Sequence, residues 1–114
     1  MGAKIAWPVL CLAVAGCAAG TDAHRSAFNQ EKYAIAYCLA LAYPGSEMSR
    51  DARYVAGAYL QQGESGIDVY ERVRDFVGEY REEPYLSKHG VNLRIMQCLD
   101  LISSAELAQA ISGH

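Results

Sequence analysis

Few side chains in this 114-residue chain are suited to chemistry at neutral pH: four cysteines and three histidines. Cys11 and Cys17 lie near the start, Cys38 and Cys98 in the body of the chain. His24 belongs to a polar stretch close to the start and His114 is the last residue, which leaves His89 inside the fold. A cysteine–histidine nucleophile needs a free thiol beside the imidazole, and Cys98 is the cysteine nearest to His89 in sequence. Cys38, His89 and Cys98 have the right donor types for zinc but lack the close paired spacing, such as C-x-x-C, that zinc sites use. Glu82 and Glu83 are adjacent carboxylates. Neighbours in an extended segment point apart, whereas the carboxylates of a glycosidase must flank a cleft. Neither a P-loop nor a dinucleotide glycine pattern is present. No catalytic set and no cofactor or metal emerges, so the chain reads as something other than an enzyme.

Which thiols remain available depends on where the chain goes. Lys4 precedes an almost wholly apolar run from Ile5 to Ala15. That run is shorter than the roughly 20 residues that span a membrane. A basic start, an apolar stretch and small residues after it have the form of a secretory signal, here residues 1–16. Val14-Ala15-Gly16-Cys17 resembles a bacterial lipobox, in which cleavage precedes the cysteine and the thiol carries a lipid. Cleavage by a plain signal peptidase after Ala18-Ala19-Gly20 is the alternative, and Cys17 is then removed. Cys11 is lost either way. An exported chain with two cysteines left reads as one Cys38–Cys98 disulfide in an oxidising periplasm. Two buried free thiols are the competing reading.

The formal net charge is −3, and no basic run is present, which argues against nucleic acid as a partner. Residues 17–26 are small and polar, a tether to a single domain over 27–114. That domain is helical in pattern throughout. A first helix is expected from Phe28 to Tyr43, with Ile35, Cys38, Leu39 and Ala42 on one face and Pro44-Gly45 as its stop. Its segment YAIAYCLALAY has no charged or amide side chain, so it needs cover on several sides, as the central helix of a bundle or at a dimer interface. A second helix runs from an N-cap at Ser49 to Gln62, with Ala52, Val55, Ala56 and Tyr59 inward. A third covers Ile67 to Arg81, with Val69, Val73, Phe76, Val77 and Tyr80 inward and an outer Asp68–Arg72 pair. A fourth covers Val91 to Ile102, with Val91, Ile95, Cys98 and Ile102 inward. A fifth begins at Ser103, which has capping-box spacing to Glu106 and turns Leu107, Ala110 and Ile111 inward. The fold class is all-α, a compact bundle of four to five helices with one inter-helix disulfide.

The longest polar connection is EEPYLSKHG, Glu82 to Gly90, where Pro84 blocks helix continuation and favours extended geometry at Glu83. All eight tyrosines lie between Tyr33 and Tyr85. Most suit boundary packing in a small bundle. Tyr85, in the polar loop, suits an aromatic anchor for a partner's pocket. An exported domain with such a loop and no catalytic set points to binding.

Two stretches carry a family resemblance: YAIAYCLALAY followed by DARYVAGAY, and YLSKHGVNLRIMQCLDLISSAEL. The pattern is Tyr33-Ala34-x-Ala36-x-Cys38-Leu39-Ala40, then Asp51-Ala52, Gly57, Cys98-Leu99-Asp100-Leu101 and Ser104-x-Glu106-Leu107. It resembles the immunity proteins of type VI secretion amidase effectors, with Ile102 standing where that pattern has an aromatic. The resemblance implies a small helical periplasmic inhibitor, often a homodimer, that puts a surface loop or helix into the active-site groove of a peptidoglycan amidase. On that reading Glu82, Glu83, Tyr85, Lys88 and His89 are the partner-binding residues, and a lipidated Cys17 attaches the protein to a membrane. A small envelope lipoprotein with a structural or chaperone-like role is the alternative.

Overall fold

The computed structural model describes residues 28–113. The signal segment 1–16, the tether 17–26 with Cys17 and His24, and His114 lie outside the described residues. Five α-helices and one 3₁₀ turn make up the described chain: α1 over 28–42, α2 Glu47–Gln62, α3 Ile67–Tyr80, α4 Arg94–Leu99 leading into the 3₁₀ turn Asp100–Ser103, and α5 Ala105–Ser112.

Helix α1 is the centre. Ala34, Ala36, Cys38, Ala40 and Ala42 are buried, and none of residues 33–43 is exposed. The cover that an all-apolar helix requires therefore comes from its own chain. Alanines let the neighbouring helices approach closely, and Tyr33 fills the space near its start, edge-on to Tyr70 of α3 at 5.1 Å between ring centroids. The α1–α2 turn is stitched by serines. Gly45 takes a left-handed φ of 81°, and Ser46 Oγ donates to the Tyr43 carbonyl and accepts from Ser49 N–H. Ser46, not Ser49, is thus the N-cap of α2. Ser49 is buried and its hydroxyl donates to the Ala40 carbonyl across the helix pair.

Tyr70, Val73 and Val77 form the buried stripe of α3. Tyr70 is the largest wholly buried side chain, and Gly63 makes room for it. A Cβ built on Gly63 would lie 1.7 Å from the Tyr70 hydroxyl. Helix α5 packs along α3 through Leu107, and Arg72 Nε donates to the Ala110 carbonyl in its last turn. That contact satisfies a helix-end acceptor and places a cation at the negative end of the dipole. The N-cap of α5 is Ser104, one residue later than expected, accepting from Leu107 N–H while its hydroxyl contacts Glu106.

The fourth helix departs most from expectation. Val91 to Leu93 are extended or irregular, α4 has six residues, and its inner face is Gln97, Cys98 and, past its end, Leu101. Val91, Ile95 and Ile102 point out to solvent. The rotation follows from two polar side chains that turn inward. Arg94 donates to the Ala42 carbonyl and lies over the Tyr43 ring, and Gln97 donates to backbone carbonyls at the end of α3 and just beyond it. A helix this short has little stability of its own. Cys98 fixes it by a disulfide to Cys38, with the two Cα atoms 5.5 Å apart. The bridge joins the central helix to the one least able to hold itself.

Two outcomes are expected. Closing a 60-residue loop contributes about 4 kcal/mol in the chain-entropy account. Urea unfolding of the reduced domain should therefore lose roughly that amount against the oxidised one. Gly63→Ala should destabilise by about 1–3 kcal/mol, the cost of overpacking a rigid site, whereas Gly57→Ala, with open space at its Cβ, should not.

Candidate functional site

The segment between α3 and α4 is built from its two ends inward. Helix α3 stops at Arg81 without a left-handed glycine cap. Its final carbonyls need other partners. Gln97, buried to 2 % exposure, supplies them. Its amide nitrogen donates to the carbonyls of Tyr80 at 3.0 Å and Glu83 at 2.8 Å, and its amide oxygen accepts from Arg81. Tyr80 returns a bond, its hydroxyl donating to the Gln97 carbonyl at 2.7 Å. Pro84 then carries the chain away from the body.

Beyond Pro84 the chain folds into a short hairpin. Leu86 and Asn92 pair as an isolated antiparallel bridge, with Ser87 N–H donating to the Val91 carbonyl at 2.8 Å and Leu93 N–H to the Tyr85 carbonyl at 2.8 Å. Gly90 N–H donates to the Ser87 carbonyl, and Gly90 takes a φ of 80° at the end of the turn, which an L side chain adopts only with strain. The Ser87 hydroxyl accepts from the amides of His89 and Val91. The amides of Tyr85, Ser87, His89, Gly90, Val91 and Leu93 are thus engaged within the hairpin.

Tyr85 is a strut of this hairpin. Its amide donates to the Asn92 side chain, its hydroxyl donates to Asp100, and its ring is half-buried. The bond to Asp100 raises its pKa above the ordinary tyrosine value near 10, with partial burial and the Asp100 charge adding to it. Tyr80 is also raised, first by burial and then by the Asp100 charge. Glu82, Glu83, Lys88 and His89 are exposed. The five residues expected to bind a partner thus fall on the α3–α4 connection: Glu82 and Glu83 face solvent at the hairpin's base, Lys88 and His89 at its turn, and Tyr85 braces the stem. The disulfide occupies both thiols that the nucleophile and zinc readings required.

Sequence reasoning missed the apolar part of this surface. Leu86 and Val91 on the hairpin are about three-fifths exposed, and Ile95, Leu99 and Ile102 lie outward at i, i+4 and i+7. A cleft of about 630 Å³ lies beside the hairpin's base, between the end of α1 at Tyr43 and Pro44 and the side chains of Arg81, Pro84 and Arg94. The arrangement offers a stiff projection with a charged tip, flanked by exposed apolar groups, and no reacting group. Its shape and side chains are of the kind that contact another macromolecule rather than transform a substrate.

The model of a family described as type VI secretion system amidase immunity protein, Tai4, matches residues 29–111. The chain belongs to that family. It is an immunity protein, and not itself an enzyme. A solved structure of the Tae4/Tai4 effector–immunity system from Salmonella typhimurium is similar to it, with a TM-score of 0.69 and 27 % sequence identity over 78 % of this chain and 88 % of that one. No curated protein sequence matches. The matched span contains nearly the whole bundle, both cysteines of the disulfide and the whole hairpin.

The tyrosine shifts set a pH dependence for this Tai4-family chain. Tyr33, Tyr80 and Tyr85 all have raised pKa values, Tyr33 chiefly through burial. Above pH 10 the unfolded chain releases these protons and the folded chain keeps them. The unfolded state then binds fewer protons, and stability falls as pH rises. The urea midpoint should hold between pH 8 and about 9.5 and drop above about pH 10, and Tyr85→Phe should make the drop shallower.

Proposed function

We propose that the protein binds the cognate type VI secreted peptidoglycan amidase in the periplasm and inhibits it by lodging the 82–93 hairpin in the active-site groove. The observation that carries this reading is a hairpin whose stem and turn are closed by their own hydrogen bonds and whose entry is held by Gln97, while Lys88 and His89 at its turn and Glu82 and Glu83 at its base face outward. A segment already held in one conformation loses little entropy on binding. Its charged tip suits polar groups around a catalytic nucleophile, and Leu86 and Val91 supply apolar area to bury.

Periplasmic action is inferred from the signal-like residues 1–16 and agrees with the disulfide, which persists in oxidising compartments. A lipid on Cys17 would hold the domain at a membrane through the 17–26 tether, without altering the docking surface. Homodimerisation, which the family resemblance implies, would not run through the middle of α1, because that helix is already covered.

The test is inhibition of peptidoglycan peptide cleavage by the cognate amidase. The unaltered domain should abolish cleavage at near-equal molar ratio and co-elute with the enzyme. Glu83→Ala should raise the concentration needed for half-inhibition. Tyr85→Ala should raise it more, by about tenfold or above, in the range of an interface hot spot. Unchanged inhibition by both variants would remove the hairpin from the mechanism.

A further inference from the structure

The geometry points to Gln97 as a positioning residue for the docking hairpin, acting from inside the bundle without touching the partner. The inference rests on the reading of the hairpin as the inhibitory element. Gln97 sits on α4, beside the cysteine that bonds that helix to α1. One residue thus reads the position of the core and transmits it to the hairpin's entry. Its amide group holds the carbonyls of Tyr80, the last residue of α3, and Glu83, the residue before Pro84. These two points fix the direction in which the chain leaves the helix. Its oxygen also takes the Arg81 guanidinium, so Tyr80, Arg81 and Glu83, which frame the corner, are gathered around a single side chain. The hairpin's other strand begins at the same helix, since Leu93 donates to Tyr85 and is followed directly by Arg94. Both strands of the stem are therefore referred to α4.

Two features separate this role from ordinary core packing. A buried amide in a bundle of this size is costly unless fully bonded, and a leucine at position 97 would serve packing alone. The side-chain bonds of Gln97 also go only to the α3 end and the hairpin entry, not to α1 or α5. Removing them frees the hairpin to sample other exits while leaving the bundle's apolar contacts in place. Binding-competent orientations then become a fraction of the population, and the apparent association rate falls by that fraction. Once docked, the hairpin makes the same contacts, so the dissociation rate is unchanged. A residue that touched the partner would instead act on dissociation.

The experiment compares the oxidised unaltered domain with Gln97→Met, which keeps the side chain's length and apolar stem. Gln97→Glu is the second variant, which keeps a polar group for Arg81 but sets an acceptor against the two carbonyls. Amide hydrogen exchange of the free domains is read first. Faster exchange at Tyr85, Ser87, Val91 and Leu93, with the α1 and α3 amides unchanged, is the expected result. Equal acceleration everywhere, or none, overturns the inference whether or not the amidase binds. Binding kinetics to the cognate amidase are read second. An association rate lowered by about tenfold with dissociation within twofold supports the positioning role. An unchanged association rate, or a change confined to dissociation, overturns it. Failure of the unaltered domain to bind the amidase would instead overturn the hairpin reading itself, and the positioning role with it.

Discussion

Everything in this fold depends on burying one helix. Residues 33–42 of α1 carry no charge and no amide group, and no single neighbour can cover such a helix. Helices α2 and α3 contribute alanine, valine and tyrosine faces to the core around it. The remaining side falls to α4, which has only six residues. A short helix cannot be relied upon to stay where apolar contacts alone would put it. The Cys38–Cys98 bond fixes it there. The disulfide and the shape of the core are in this sense one constraint.

The same placement of α4 shapes the proposed docking surface. With Cys98 turned onto α1, Gln97 faces the end of α3 and Ile95, Leu99 and Ile102 face outward. The hairpin between α3 and α4 is then held by hydrogen bonds at its entry, along its stem and at its turn. A loop of this length without such bonds would be a weak instrument for inhibition, since ordering it would consume much of the interaction energy. On the proposed reading this stiffness has a purpose, because a projection formed beforehand enters a groove at little entropic cost.

The parts of the structure legible in the sequence are those governed by apolar spacing and by strong breakers. The first three helices, the stop at Pro44-Gly45 and the Cys38–Cys98 pair are of this kind. The face of α4 was not, because a binary pattern treats Arg94 and Gln97 as outward residues. Both bury their head groups against backbone carbonyls that come from elsewhere in the chain. The serine caps of α2 and α5 moved for a local reason: each has two serines within reach, and side-chain geometry selects one. For the site, Pro84 and the polar run marked the loop correctly. The role of Tyr85 as a strut was hidden, since Asp100 lies 15 residues away and meets it only in the folded chain. The exposed apolar groups were hidden by the same rotation of α4.

The most direct test of the account is amide hydrogen exchange on the complex with the cognate amidase. Strong new protection over residues 86–91, with the exposed face of α2 unchanged, is the predicted result. Protection confined to α2, with the hairpin exchanging as in the free protein, would contradict the account. It would show that this immunity protein meets its effector on a different face.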